Sequence, residues 1–347
     1  MSMSSLSSST PIVIGHRGAP GYRPEHTASS YRLSFELGAD AVEPDVVATR
    51  DGVLVVRHEN EISGTTDVAD HPKFRDRKTT RVIDGVSHTG WFTEDFTWAE
   101  LQTLRATERL RKVRSDNLAY EGQEPMLRLA EVLAIVDEVA DQRETAPGVV
   151  IEVKHATYFA SIGISIAELL HRELRLAGWQ DRSSQLTIEC FELEILEQLQ
   201  RDGLEATYIF LLETRGAPAD EVSALGEEHA KTFEWYRSDE GLDSLRGRVH
   251  GISVAKRDLF IYGVLGIAKG INDLVQRAHA RDLLVYTWTL RPENSFLMQR
   301  FRIGAHPAAW GDWMGEMQEV LLTGVDGIFV DHPDLGVSAV RNRLETP

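Results

Sequence analysis

Apolar residues recur along this chain in short blocks, and between the blocks they fall at helical spacing. Ile12–His16 reads as a strand. Thr27 reads as a helix cap, with Tyr31, Phe35 and Leu37 among the apolar positions and Gly38 as the stop. Ala41–Thr49 predicts a second strand, Arg50-Asp51-Gly52 a tight turn, and Val53–His58 an antiparallel return. Further strands are expected at Val149–Lys154, Leu186–Phe191, Thr207–Leu212, Gly251–Ala255, Leu283–Leu290 and Gly327–Val330. Helical patterns lie at Leu127–Val139, up to about Ala177, and at Leu193–Asp202, Ile271–Ala280 and Trp313–Leu322.

With the hairpin return counted as part of the second strand, eight core strands alternate with helical or irregular crossovers. Nearly continuous apolar strands alternating with helices predict a parallel sheet covered on both faces. Eight such units predict an α/β fold of the (β/α)8 TIM-barrel type. A doubly wound open sheet is the alternative, but Gly15-His16-Arg17-Gly18 lacks the dinucleotide spacing expected there. From 59 to 125 the periodicity is lost, and 218–248 is polar and ambiguous. A patternless stretch as long as 59–125 predicts a small insertion domain after the hairpin. The barrel then occupies 11–340, preceded by a disordered lead-in over 1–10.

Composition narrows the classes of function. At 42% apolar and 26% charged, the 347 residues are those of an ordinary globular protein with ample core. A net charge of −17 argues against nucleic-acid binding, and it means that any anionic substrate needs local positive charge. The longest uncharged apolar run, Leu259–Ala268, is too short to span a bilayer, so no stable membrane insertion is expected. It reads as a buried segment or a greasy lip on a loop. The opening residues lack the basic start and apolar core of a secretory leader, and the single cysteine, Cys190, fits a reducing compartment. The expected location is cytoplasmic; oligomeric state is not legible.

Charged residues in the strand-like blocks cluster at strand ends, where barrels carry their chemistry. His16 and Arg17 end the first strand. Glu43 and Asp45 stand at i and i+2 on the second, Glu152 and Lys154 do the same on a later one, and His58 ends the hairpin return. Taken singly, Glu43 reads as a partner for a barrel Lys or Arg. Two i, i+2 pairs with a cation among them point instead to metal and anion binding, and an all-oxygen set suits one divalent ion, Mg²⁺ or Ca²⁺. Two histidines beside such a site suit phosphate-ester cleavage, one removing a proton and the other donating one. His155, His229 and His279 read as surface residues.

These residues also carry a resemblance. His16-Arg17-Gly18, Pro24-Glu25-His26-Thr27, Glu43-Pro44-Asp45, Thr49-Arg50-Asp51-Gly52 leading to His58, and Thr65-Thr66-Asp67 match one family in order. So do Glu152-Val153-Lys154, Cys190-Phe191, Trp288-Thr289 and the closing Gly324–Asp331. The sequence resembles the glycerophosphodiester phosphodiesterases, most of all their periplasmic branch. The resemblance implies a (β/α)8 barrel with an insertion. It implies metal ligands Glu43, Asp45 and Glu152, catalytic His16 and His58, and phosphate contacts from Arg17 and Lys154. It also implies hydrolysis of glycerophosphodiesters to glycerol 3-phosphate and an alcohol, with the substrate's neighbouring glycerol hydroxyl attacking phosphorus. Trp288 and Phe191 read as core filling by pattern alone; the resemblance makes them a wall for the glycerol side. Asp331 either orients a site residue or caps the turn at His332-Pro333. Two positions depart from many relatives: His26 replaces an Asn, placing a third histidine at the border of the site, and Gly64 replaces an Arg. Alternatives are phospholipase D-like cleavage of lysophospholipids or sphingolipids on the same barrel, with 259–268 docking the acyl chain, and a catalytically silent phosphodiester-binding barrel. A metal-dependent aldolase or isomerase would leave the two histidines without a use.

Overall fold

A computed structural model describes residues 10–263 and 267–345. The lead-in expected at the N-terminus, over 1–9, and the centre of the 259–268 run lie outside them. β1 (Ile12–His16) is followed by α1 (Ala28–Glu36), and Thr27 caps that helix by accepting from the Ser30 amide. The predicted second strand is two pieces, β2 (Ala41–Glu43) and β3 (Asp45–Ala48). The break falls at Pro44, which has no N–H to give to the ladder. β4 (Leu54–Val56) returns antiparallel to β3, with Val46 opposite Val56.

The 59–125 segment contains a hairpin of its own, β5 (Thr79–Ile83) and β6 (Val86–Gly90). Its turn is Asp84-Gly85, both at positive φ (49° and 79°), the geometry that an Asp-Gly turn supplies. That dipeptide was readable in the sequence, yet its flanks carry too few apolar residues to stand out. Among the described residues the segment also forms α2 (Trp98–Leu101) and short 3-10 helices at Val68–Asp70, Pro72–Arg77, Thr93–Asp95 and Ser115–Tyr120. Arg77 on Glu100 and Arg81 on Asp95 tie it together.

The barrel then continues in order: α3 (Leu129–Ala140), β7 (Gly148–Val153), α4 (Ala156–Ser161), α5 (Ile166–Leu176), β8 (Leu186–Cys190), α6 (Leu193–Arg201) and β9 (Thr207–Leu212). The ambiguous 218–248 stretch forms α7 (Ala219–Leu225), α8 (Phe233–Tyr236) and α9 (Asp239–Leu245), each too short to show a helical period. β10 (Gly251–Ala255), β11 (Phe260–Tyr262), β12 (Ala268–Ile271), α10 (Leu274–His279), β13 (Leu284–Leu290), α11 (Trp313–Leu322), β14 (Gly327–Val330) and α12 (Pro333–Glu345) complete the chain. β11 and β12 pair as a small hairpin in the apolar run: Leu259 and Phe260 are buried, while Ile261 and Ile267 are exposed.

The parallel ladder runs β2-β1-β14-β13-β10-β9-β8-β7-β3, and β2 also pairs with β7, which closes the barrel. Two cores result. The larger lies between strands and helices, and burying each of its aliphatic side chains contributes about 1.5–3 kcal/mol. A smaller one, with Ile14, Ala41, Val150, Ile209, Tyr286 and Phe329, fills the barrel interior. Because side chains alternate along a strand, the residue two positions beyond each interior plug faces the barrel mouth. From Ile14 this gives His16; from Ala41, Glu43; from Val150, Glu152; from Tyr286, Trp288; and from Phe329, Asp331. The packed interior layer thus dictates which side chains form the next layer up.

Candidate active site

Register assembles that upper layer. His16 stands opposite Glu43, and Glu152 stands opposite both Asp45 and Glu189. The layer floors a cavity of about 750 Å³ at the C-terminal ends of the strands. Of the predicted residues, His16, Arg17, His58, Glu152, Lys154, Phe191 and Trp288 all line this cavity.

The carboxylates differ in how they are held. Oxygens of Glu43, Glu152 and Glu189 all lie within 4.8 Å of one another. Oε1 of Glu43 and Oε2 of Glu189 are buried without a hydrogen-bond partner. Burial pushes Glu43 and Glu189 well above the usual carboxylate range, and their acidic neighbours push the same way. Glu152 is raised to about 8 by burial, against the opposing pull of Lys154. Glu152 Oε1 accepts from Lys154 Nζ at 2.6 Å, but three carboxyls forced toward their protonated forms, two of them with an unused oxygen, are chemically suited to a divalent cation. Asp45 is situated differently. His26 Nε2 donates to its Oδ2 at 2.9 Å, Arg17 Nε lies 3.2 Å from that oxygen, and Lys154 Nζ is 3.3 Å from Oδ1. Burial raises Asp45, but Lys154, Arg17 and His58 outweigh it and hold the group well below the usual range.

Glu189 was missed in the sequence. The available signal was an acidic residue inside the buried strand LTIECF, a position where an unpaired carboxylate is costly. His26 does not border the cavity. It is fully buried behind Asp45, with the Tyr31 hydroxyl 2.7 Å from Nδ1, so it fixes a carboxylate rather than meeting substrate.

The turn after β1 sets the remaining geometry. Arg17 has φ 58° and Gly18 φ 93°. A Cβ on Gly18 would sit 2.6 Å from the Ser30 backbone carbon, so only glycine lets the turn pack on α1. The Arg17 amide donates to Glu43 Oε2 at 2.9 Å, and its guanidinium donates to both Glu25 oxygens at 3.2 Å.

Each of the two cavity histidines has a carboxylate on Nδ1. Asp331 Oδ1 accepts from His16 at 2.7 Å. Asp331 Oδ2 accepts from Arg114 at 2.6 Å and from Arg291 at 2.5 Å. This settles the open reading of Asp331: it orients His16. Glu59 Oε1 lies 2.7 Å from His58 Nδ1. Glu59 Oε2 lies 3.1 Å from His155 Nε2, and His155 Nδ1 meets Asp84 at 2.5 Å. His155 is therefore no idle surface residue; it ties the β5–β6 turn to Glu59. Its role was invisible in the sequence because its partners lie 71 and 96 residues away. Burial, then the charges of Arg17 and its neighbours, lower His16 to about 3 and His58 to about 4. Both rings are neutral near pH 7, with Nδ1 committed and Nε2 available. Phe191 and Trp288 meet edge to face at 5.9 Å beside Lys154.

A closed (β/α)8 barrel with this layer of acids, cations and paired histidines at its mouth defines a barrel enzyme. The Glycerophosphoryl diester phosphodiesterase family matches residues 16–335, and the chain belongs to that family. A glycerophosphodiester phosphodiesterase of Arabidopsis thaliana is 30% identical over 350 residues, covering 94% of this chain and 85% of the relative. One of Haemophilus influenzae is 25% identical, covering 96% and 90%. Among solved structures, a glycerophosphoryl diester phosphodiesterase of Silicibacter pomeroyi aligns with TM-score 0.65 at 21% identity, covering 96% and 94%. An Oleispira antarctica phosphodiesterase solved with the product sn-glycerol-3-phosphate aligns with TM-score 0.60 at 19% identity, covering 96% and 97%. No helix among the described residues is long and apolar enough to cross a membrane.

Proposed function

We propose that the protein hydrolyses glycerophosphodiesters, breaking the bond from phosphorus to the alcohol oxygen and releasing glycerol 3-phosphate and the alcohol, with net uptake of one water. One observation carries the reading: a knot of buried acids with unpaired oxygens lies in the same cavity as two carboxylate-held histidines, Arg17 and Lys154. Glu43, Glu152 and Glu189 would hold a divalent ion, Mg²⁺ or Ca²⁺, with Asp45 Oδ1, ion-paired to Lys154 at 3.3 Å, beside them. When bound there, such an ion neutralises charge on the phosphoryl oxygens.

The chain's own groups do the rest. Arg17 and Lys154 line the cavity and attract the phosphodiester anion. One histidine, neutral, takes the proton of the attacking hydroxyl through Nε2. The other acts as acid only in its imidazolium form, which its carboxylate partner and the bound phosphodiester anion favour, and gives its Nε2 proton to the departing alkoxide. Asp331 and Glu59 hold Nδ1 of each ring and so orient Nε2 toward substrate. Trp288 and Phe191 exclude water on the glycerol side.

The test is release of the phosphomonoester from a panel of diesters before and after chelation: glycerol 3-phosphate from glycerophosphocholine and glycerophosphoglycerol, and its acylated form from a lysophospholipid. Turnover of the deacylated diesters should disappear with chelator and return with Mg²⁺ or Ca²⁺, and the thermal midpoint should rise with the restoring ion. Full activity of a metal-free preparation with no shift in melting would sink the metal site. Turnover of the lysophospholipid alone would favour the acylated substrate class, for which Tyr262, Ile267 and Ala268 supply an apolar lip.

A further inference from the structure

The cavity is much larger than the catalytic floor requires, and its outer half has a charge of its own. Among the described residues, eight Lys and Arg side chains line it against three Glu, whereas the whole chain carries 37 basic and 54 acidic residues. Part of that surplus, Arg17 and Lys154, belongs to the floor. Arg109 pairs with Glu25 beside Arg17, and the remaining five come from the segments that follow β10 and β13. Ala255 pairs with Trp288, so Lys256 and Arg257 leave the rim of β10 directly beside the aromatic wall. Arg302, near enough for its charge to act on Lys256, gives its Nε to the Leu297 carbonyl at 2.9 Å.

These cations are not equally neutralised. Lys256 is paired with buried Glu316, whose other oxygen accepts from the Met298 amide at 2.6 Å, so its ammonium is fixed in place. Arg291 gives its Nε to Asp331 and lies 4.6 Å over the Phe296 ring. Arg257 is exposed, and neither it nor Arg302 makes an ion pair among the described residues. Burial holds Lys256 below its usual range, with Arg291 and Arg302 pressing the same way against Glu316. Unpaired cations concentrated on one wall of a cleft focus a positive potential there, against the field of a chain at −17.

We propose that this wall, with Arg257 and Arg302 as its free cations, is a second anion subsite that receives the leaving alcohol, so that the preferred substrates are glycerophosphodiesters whose alcohol carries a phosphate. The proposal rests on the diesterase reading and names the substrate class for the same site. Arginine suits the task because its planar fork grips phosphate with two parallel hydrogen bonds. A cationic alcohol such as choline would meet repulsion on the same wall.

The experiment compares glycerophosphoglycerophosphate, glycerophosphoglycerol and glycerophosphocholine as substrates of the full chain, alongside the Arg257→Gln/Arg302→Gln double variant. The wild-type kcat/KM should favour the phosphate-bearing alcohol over the neutral one by roughly tenfold at low salt, with choline last. The double variant should lower the ratio of phosphate-bearing to neutral substrate by about fivefold or more, and high salt should do the same. An unchanged ratio in the double variant, or a wild-type preference for choline, overturns the subsite. Should no diester release glycerol 3-phosphate, the underlying reading fails instead. Calorimetric binding of glycerophosphoglycerophosphate then judges the subsite alone: weaker binding by the double variant supports it, and equal binding refutes it.

Discussion

The two histidine–carboxylate pairs are alike in chemistry and unlike in setting. His16 and Asp331 come from β1 and β14, adjacent strands in register at Gly15 and Val330, and Asp331 is 1% exposed beneath two arginines. His58 and Glu59 come from the end of the hairpin return. The Glu59 side chain is 46% exposed, and its second oxygen leads through His155 to Asp84 on the insertion hairpin. One pair is built into the barrel frame, while the other is steadied by the β5–β6 hairpin between β4 and α3. A cavity histidine can thus be oriented by the barrel strands themselves or by a clasp from the β5–β6 hairpin, and the second arrangement leaves that hairpin room to tune it.

The comparison can be broken outright. His16→Ala and His58→Ala should each lower kcat by about 10²–10⁴-fold with the fold retained, as expected for loss of a general acid or base. Near-normal turnover in either would remove that histidine from the chemistry. Asp331→Asn should separate the pairs next. It weakens the partner of two buried guanidiniums, so about 3–5 kcal/mol of stability should go along with the activity, read by denaturant unfolding. Glu59→Gln should instead lower kcat by about 10–100-fold with little change in melting, because its side chain is half in solvent. Equal stability losses in the two variants would erase the distinction.

The smallest effect concerns the clasp. Burial pulls His155 down, but the hydrogen bonds to Asp84 and Glu59 outweigh it and raise the group from 6.5 to about 9. Its folded value lies above its unfolded one, so this contribution is fully present below about pH 6.5 and is lost as pH rises through about 9. Thermal melting and amide exchange of β5–β6 should show that loss in the wild type and a flatter profile in Asp84→Asn, whose turnover should fall only about two- to threefold. An identical pH profile in Asp84→Asn would mean the clasp carries no energy.

Local pattern made the strands at 12–16, 207–212, 251–255 and 327–330 legible to the residue, because each is buried on both faces and reads as a continuous apolar block. The same period of two gave the facing of His16, Glu43, Glu152 and Trp288. Elsewhere local signal was thin. Pro44 split a strand that looked whole, and α7–α9 are shorter than the window a helical period needs. The β5–β6 hairpin was announced only by Asp84-Gly85, because Val82 and Val86 are 63% and 56% exposed and no buried face marks its strands.

The sequence by itself determined the barrel, the charged residues at several of its strand ends, and the family to which the chain belongs. Hydrophobic periodicity and motif order are local properties, and they survive without coordinates. Only the tertiary structure decided which charges meet. It brought Glu189 to Glu43 and Glu152, turned His26 away from the cavity to hold Asp45, and gave Asp331 to His16 across 315 residues. It also ran Asp84 through His155 to His58. Electrostatic partners depend on distance in space, which the closure of the barrel sets and sequence separation does not.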